Sequence, residues 1–385
     1  MGSKPTVAHR WRCIRLQASD VSFMRPKIKI KAGIVAAVAL LSAVCAFFSG
    51  CYAVRQGTTM LGYVHRAVPL ESLIENDTDG AIDNSAAEKK RRFVERVQDI
   101  RRFAAEELGL KISKNYTRYV EIDRDYLAAV VSASAMDSFD RYEWKYPVVG
   151  AIPYKGFFNI EDARKERTKL EKKGLDVWIR GVDAFSTLGW LRDPLFSYML
   201  DYSPDRLADM ILHESTHVTV FLKGQAKFNE ELAEFVGSEG ARLYMESRFG
   251  LDSAEYKSMF AKDEAHRRYV AFIQELIAEL QVLYESGVGR EVILSEKERI
   301  IKDAQLRFEA EYESRFDGEN YRGFSTLPIN NAYLEIYRLY YSADDYIEGL
   351  YRRSGKTLPQ FIVAAKSLPK KGGAARELLA KALGL

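Results

Sequence analysis

The chain has 385 residues, 47% of them hydrophobic and 29% charged, with a net charge of +3 at neutral pH. That is a globular composition, long enough for a large core or two domain-sized units. So small a positive charge, with no basic stripe interleaved with aromatics, argues for no nucleic-acid partner. The three cysteines, Cys13, Cys45 and Cys51, all lie within the first 51 residues. The body beyond them therefore has no internal disulfide, no thiol nucleophile and no cysteine-based zinc site.

Lys27, Lys29 and Lys31 precede an apolar run from Ala32 to Phe48, which ends in Ser49-Gly50-Cys51. A basic flank, an apolar segment and small residues at a cleavage point describe an export signal. The ending resembles a bacterial lipobox, in which Cys51 is lipidated, although Phe48 stands where Leu is usual. The alternative is an uncleaved signal anchor, because the run is about long enough to span a bilayer. Either places the residues after Cys51 on the outer side of a membrane, in a bacterial cell envelope. Met24 opens a more conventional signal sequence than Met1 does. Residues 1–50 are thus expected to be extension and signal peptide, and 51–385 the folded domain.

Residues 52–74 read as a mixed segment with an unassigned His65, and 75–86 as an acidic loop. Phe93, Val94, Val97, Ile100, Phe103 and Ala104 recur at helical spacing over 86–108, with Asn84 or Ser85 as cap and Gly109 as stop. β-leaning runs come next at 119–122, 126–134 and 144–152, then a turn at 153–158. A charged helix over 160–173 is closed by Gly174, and an alternating strand occupies 175–182. The 184–190 stretch reads as an ordered loop. This sheet-containing part covers about 110–200. Val177–Val182 suits either an edge that takes substrate as an added strand or a plain core strand.

Ser203-Pro204-Asp205 is a strong helix start: a capping hydroxyl, proline at the first helical position and an acid at the positive dipole end. The helix is expected to reach about Leu222, burying Leu207, Met210, Ile211, Val218 and Phe221. Asn229 is expected to cap an antiparallel return helix, so 203–249 forms a pair. Helical patterns at 256–284, 294–312, 333–341, 344–353 and 358–368 fill the rest. The fold class expected is mainly α with a small β-sheet, α+β.

The chemistry concentrates in His213-Glu214-Ser215-Thr216-His217. Histidines four apart on a helix share one face, where neutral imidazoles can grip one Zn²⁺ per chain. Glu214 projects beside that ion, placed to deprotonate a water. Glu230, after twelve intervening residues, is the expected third ligand, with Glu231 and Glu234 as alternatives. Glu234, one turn beyond Glu230, better suits support of the ligands from behind. Buried histidines usually make structural hydrogen bonds, but a carboxylate between a spaced pair weakens that reading, as does a total of only five histidines. His266, in Asp263-Glu-Ala-His-Arg-Arg268, is expected on a polar helix face. The pattern predicts a zinc-dependent hydrolase of peptide bonds, with Glu214 as general base and a peptide or protein substrate. An oxyanion donor would come from Asn330 or Tyr333, unless Tyr333 simply packs. A carboxylate for a substrate's free amine would come from Glu231 or Glu239, unless these are solvated.

His213–His217, then Lys223-Gly-Gln-Ala-Lys-Phe-Asn-Glu230 and Phe235-Val-Gly-Ser-Glu-Gly240, resembles the bacterial family described as putative zinc aminopeptidases, exported lipoproteins. Val148–Phe157, Ala184–Trp190, Asp193-Pro194, Asn330–Ala332 and Ser49–Tyr52 also resemble family segments. The resemblance implies a zincin-like metallopeptidase of the Glu-zincin type, with a His-Glu-x-x-His helix and a helical C-terminal half. It also implies His213, His217 and Glu230 as ligands and Glu214 as catalytic base. Ser215-Thr216 stands where the family tends to have Leu-Ala, and Glu231 where Ser is common. Two competing readings remain: a zinc endopeptidase, and a non-catalytic envelope lipoprotein that serves binding or assembly.

Overall fold

The computed structural model describes residues 50–75, 84–146, 150–182, 193–316, 321–341, 346–370 and 373–385. Met24, the apolar signal run, Ser49 and the 184–190 loop lie outside them.

The segment read as mixed is a helix, α1 (Gly50–Arg66). Gly57, Thr58, Thr59 and Gly62 lower its helix propensity, which is why the sequence hides it. Docking supplies what propensity withholds. The Tyr52 hydroxyl donates to Gly156 O at 2.5 Å, its ring meets Phe157 edge-on at 5.3 Å, and Arg55 pairs with Asp162 at 2.7 Å. After β1 (Val68–Pro69) and a single turn, α2 (Ser72–Glu75), comes α3 (Asn84–Glu106). All six apolar positions of its expected stripe are buried. Gly109, at φ +68°, takes the left-handed conformation that ends it.

The strands are β2 (Arg118–Val120), β3 (Ala128–Ala135), β4 (Trp144–Tyr146), β5 (Gly150–Ile152), β6 (Tyr154–Phe157), β7 (Leu175–Val182) and β8 (Leu195–Phe196). The main sheet has the order β6-β3-β7, with β3 antiparallel to both neighbours. It lies beside α4 (Ile160–Glu171), whose Ala163 and Leu170 join its apolar cluster. Residues 128–131 are buried without alternation because apolar clusters cover β3 on both faces. Two expectations are corrected. The 144–152 run is a hairpin rather than one strand, and the 153–158 turn contains β6. Pro153 and Gly156 read locally as a turn, but pairing with β3 decides the outcome.

Eight helices complete the described chain: α5 (Pro204–Thr219), α6 (Ala226–Phe249), α7 (Ala254–Tyr284), α8 (Arg290–Arg315), α9 (Asn331–Tyr341), α10 (Tyr346–Ser354), α11 (Leu358–Lys366) and α12 (Ala375–Leu383). The last lies beyond the final helix read from sequence. The result is an α+β architecture dominated by helices, as expected. One core joins α3, α5 and α6 to α10–α12, and a second, strongly aromatic one joins α7, α8 and α9. Among the described residues no helix is long and apolar enough to cross a membrane.

Candidate metal centre

The site begins with how α5 starts and stops. Ser203 has extended backbone, Pro204 takes the first helical position, and Leu207, Ala208, Ile211 and Leu212 are buried. The helix ends at Thr219 rather than near Leu222, and Val218 (38%) and Phe221 (49%) are exposed instead of completing the stripe. Six residues, 220–225, turn the chain back into α6.

Asn229 does not cap α6, which begins four residues earlier than expected, with Gln225 in the cap position. It is buried in the first turn, where its side-chain oxygen accepts from Leu222 N at 2.9 Å and its amide donates to Leu222 O at 2.8 Å. One side chain thereby clamps the turn. Farther along, Gly237 and Gly240 let α6 lie close against α5. A Cβ on Gly237 would sit 3.0 Å from Asp209 O and 3.1 Å from the His213 Cβ, and one on Gly240 would sit 2.8 Å from a Leu212 methyl. A larger residue at either position would push the helices apart.

This close antiparallel pairing brings the expected donors together. His213 Nε2 and His217 Nε2 are 3.1 Å apart. Glu230 presents one carboxylate oxygen 3.8 Å from His213 Nε2 and the other 3.6 Å from His217 Nε2. Donors held about 2.0–2.1 Å from a tetrahedral Zn²⁺ are about 3.3–3.4 Å from one another, so the three residues fit such an ion. No other group of three or more ligating side chains converges among the described residues. Glu231 and Glu234, the alternatives to Glu230, are not in the cluster.

Glu214 and His217 are only 4% and 9% exposed. Glu214 Oε1 and His217 Nδ1 are buried with no hydrogen-bond partner among the described residues. An orphaned carboxylate oxygen on the residue next to His213 suits a group that handles a proton on something brought in from outside. By contrast, the intervening Ser215 and Thr216 are fully occupied. Their hydroxyls donate back to Ile211 O at 2.7 Å and Leu212 O at 2.8 Å, which lets a polar pair sit buried between the histidines.

The remaining site expectations divide. Glu231 is gripped by Arg376 at 2.7 Å, and Glu239 by both arms of Arg242 at 2.9 Å. That pairing and a bond from Arg242 to the Tyr256 hydroxyl raise the Arg242 pKa against the opposing effect of burial, with the Glu239 bond the largest cause. Glu234 is half-buried on α6. Asn330 accepts from Tyr333 N at 3.0 Å and donates to Val177 O at 3.1 Å, tying the start of α9 to β7. That bond also occupies one end of the β7 edge considered for substrate. Tyr333 is buried, bonded to the Tyr269 and Tyr337 hydroxyls, with its ring against Trp178 at 4.7 Å. The polar-face expectation for His266 is wrong: it is 7% exposed and its Nδ1 lies 2.5 Å from the Tyr321 hydroxyl. Sequence reasoning also missed Gly237 and Gly240, although glycines inside a helical pattern are a signal of close approach.

The helical α+β fold thus brings two histidines and a glutamate together in a group that could hold a metal ion. A sequence model of the family described as Putative aminopeptidase matches residues 51–379, and the chain belongs to that family. Its activity class is accordingly that of a peptidase. No curated protein matches the chain, and no solved structure does.

Proposed function

We propose that the protein is a zinc-dependent peptidase of zincin type, held at the outer side of a bacterial membrane. The observation that carries this reading is the convergence of His213, His217 and Glu230 beside the orphaned oxygen of Glu214. Zn²⁺ held by those three side chains would supply a Lewis acid that polarises the scissile carbonyl and acidifies water. Glu214 then takes the proton of the attacking water and delivers it to the leaving amine. Its burial keeps that transfer away from bulk solvent.

The family description favours an aminopeptidase. One observation favours the endopeptidase instead: Glu231 and Glu239, the carboxylates considered for a substrate's free amine, are both engaged by arginines. For attachment, Cys51 lies in the first turn of α1, and the next residue is already docked on the sheet through Tyr52. A lipid on Cys51 would therefore hold the domain close to the membrane surface.

The test is a panel of N-blocked and free peptides given to wild type and Glu214→Gln, with zinc content measured alongside. Cleavage by wild type, lost in Glu214→Gln while zinc stays bound, supports the mechanism. Cleavage of free peptides alone supports the aminopeptidase, and cleavage of both sets the endopeptidase. Full activity in Glu214→Gln sinks the mechanism, and zinc-loaded wild type that cuts nothing returns the site to a binding role.

A further inference from the structure

The ligand Glu230 is the fifth residue of α6, in its second turn and close to an end where helices fray unless held. The residue heading that helix, Gln225, gives no side-chain cap. Something else must fix this turn, because a metal donor displaced by a few tenths of an ångström no longer fits its ion. Part of the restraint is local, from the grip of Asn229 on Leu222. The rest comes from far along the chain. Lys223 N, in the turn before α6, donates to Lys370 O at 3.1 Å. Arg376, in the first turn of α12, donates through Nε to Glu231 Oε2 at 3.2 Å and through Nη2 to Glu231 Oε1 at 2.7 Å. The same guanidinium lies over the Tyr346 ring at 4.8 Å, which limits its own freedom. Glu231 is only 14% exposed, so the pair is shielded from solvent in a way surface ion pairs are not.

We propose that Arg376 is a positioning residue for the metal centre: by holding Glu231, it fixes the turn of α6 that carries both glutamates and with it the direction of the Glu230 carboxylate. Lys370 and α12 then brace the site rather than passively covering the core. A planar, two-pronged guanidinium suits this task, because it fixes direction as well as distance. The inference rests on the zinc reading of the site.

It is tested in the full-length protein by competition titration with Zn²⁺ and by the visible spectrum of the Co²⁺-loaded form. Supporting groups of this kind are worth about 10–100-fold in metal affinity. Arg376→Ala should weaken Zn²⁺ binding within that range and alter the Co²⁺ bands, and Glu231→Ser should do the same. The double variant should be little worse than either single one, because both remove the same contact. Arg376→Lys, which keeps the charge without the fork, should recover only part of the loss, and it serves as the probe if Arg376→Ala folds poorly. Tight Zn²⁺ binding in wild type with affinity and spectrum unchanged in Arg376→Lys and Glu231→Ser overturns the brace and leaves the metal centre standing. Wild type that binds no Zn²⁺ overturns both.

Discussion

The buried tyrosines of one large core and the buried motif residues of the other partner their polar atoms differently. Under α7, α8 and α9, the hydroxyls of Tyr269, Tyr333 and Tyr337 bond to one another, and that of Tyr321 lies against His266 Nδ1. Tyr269 stacks on Tyr321 at 4.0 Å and is held well above its ordinary pKa by burial first and by the neighbouring tyrosines second. Under α5 and α6, Glu214 and His217 each bury a polar atom that nothing in the described chain bonds. Leaving such a group unsatisfied costs about 1–3 kcal/mol, more when it is charged. The tyrosine hydroxyls bond within the chain, whereas the orphaned atoms of Glu214 and His217 belong to the His-Glu-x-x-His turn whose histidines converge with Glu230.

The largest effect expected from breaking this contrast is on catalysis. Glu214→Gln should lower peptide hydrolysis by about 10²–10⁴-fold, the range of general-base catalysis, while costing little stability. A steady-state assay paired with a denaturant melt checks both halves, and a strongly destabilised variant would mean that Glu214 is structural after all. Phe308→Ala acts on the other side of the comparison. Phe308 is fully buried, with Phe316 at 4.4 Å and Phe324 at 4.6 Å between ring centres. Its truncation should cost about 3–5 kcal/mol in urea unfolding and leave Zn²⁺ affinity alone. Loss of metal binding there would show that the cores are not independent.

Gly237→Ala should cost about 1–3 kcal/mol by overpacking α5 against α6, and it should also weaken Zn²⁺ binding, because the intruding methyl meets His213. Stability and affinity falling together, by melt and by titration, would mark the α5–α6 approach as part of the site.

The smallest effect concerns the clamp between α3 and α6. Burial pushes the Asp99 carboxyl up, but bonds from Arg248 and Arg102 outweigh it and hold the pKa below the ordinary aspartate value. A group depressed in this way adds stability above its unfolded pKa, and the contribution disappears as pH falls through the lower folded value. The stability gap between wild type and Asp99→Asn should therefore be widest near neutrality and close as pH drops below about 4 in denaturant melts. A gap that widens in acid would contradict the assignment.

What could be read from the sequence tracks the range of the signal. Helices α3 and α5 declare themselves by periodic apolar residues and by Ser203-Pro204-Asp205, and the candidate metal-binding histidines by spacing within one turn. Helix α1 does not, because its glycines and threonines are rescued only by contacts with a sheet some hundred residues away. Val218 and Phe221 fit the stripe of α5, yet nothing local says that the helix stops at Thr219. His266 sits in a charged run, and its buried partner Tyr321 lies 55 residues on. The Arg376 contact with Glu231 spans 145 residues and has no sequence signature. Motifs are local and supports are not.

The central claim is that His213, His217 and Glu230 hold one Zn²⁺, and X-ray absorption at the zinc edge tests it most directly. Wild type should load one zinc per chain, with two imidazole nitrogens and oxygen donors at about 2.0–2.2 Å, and His217→Ala should lose it. Equal zinc loading with an unchanged imidazole signal in His217→Ala would contradict the account.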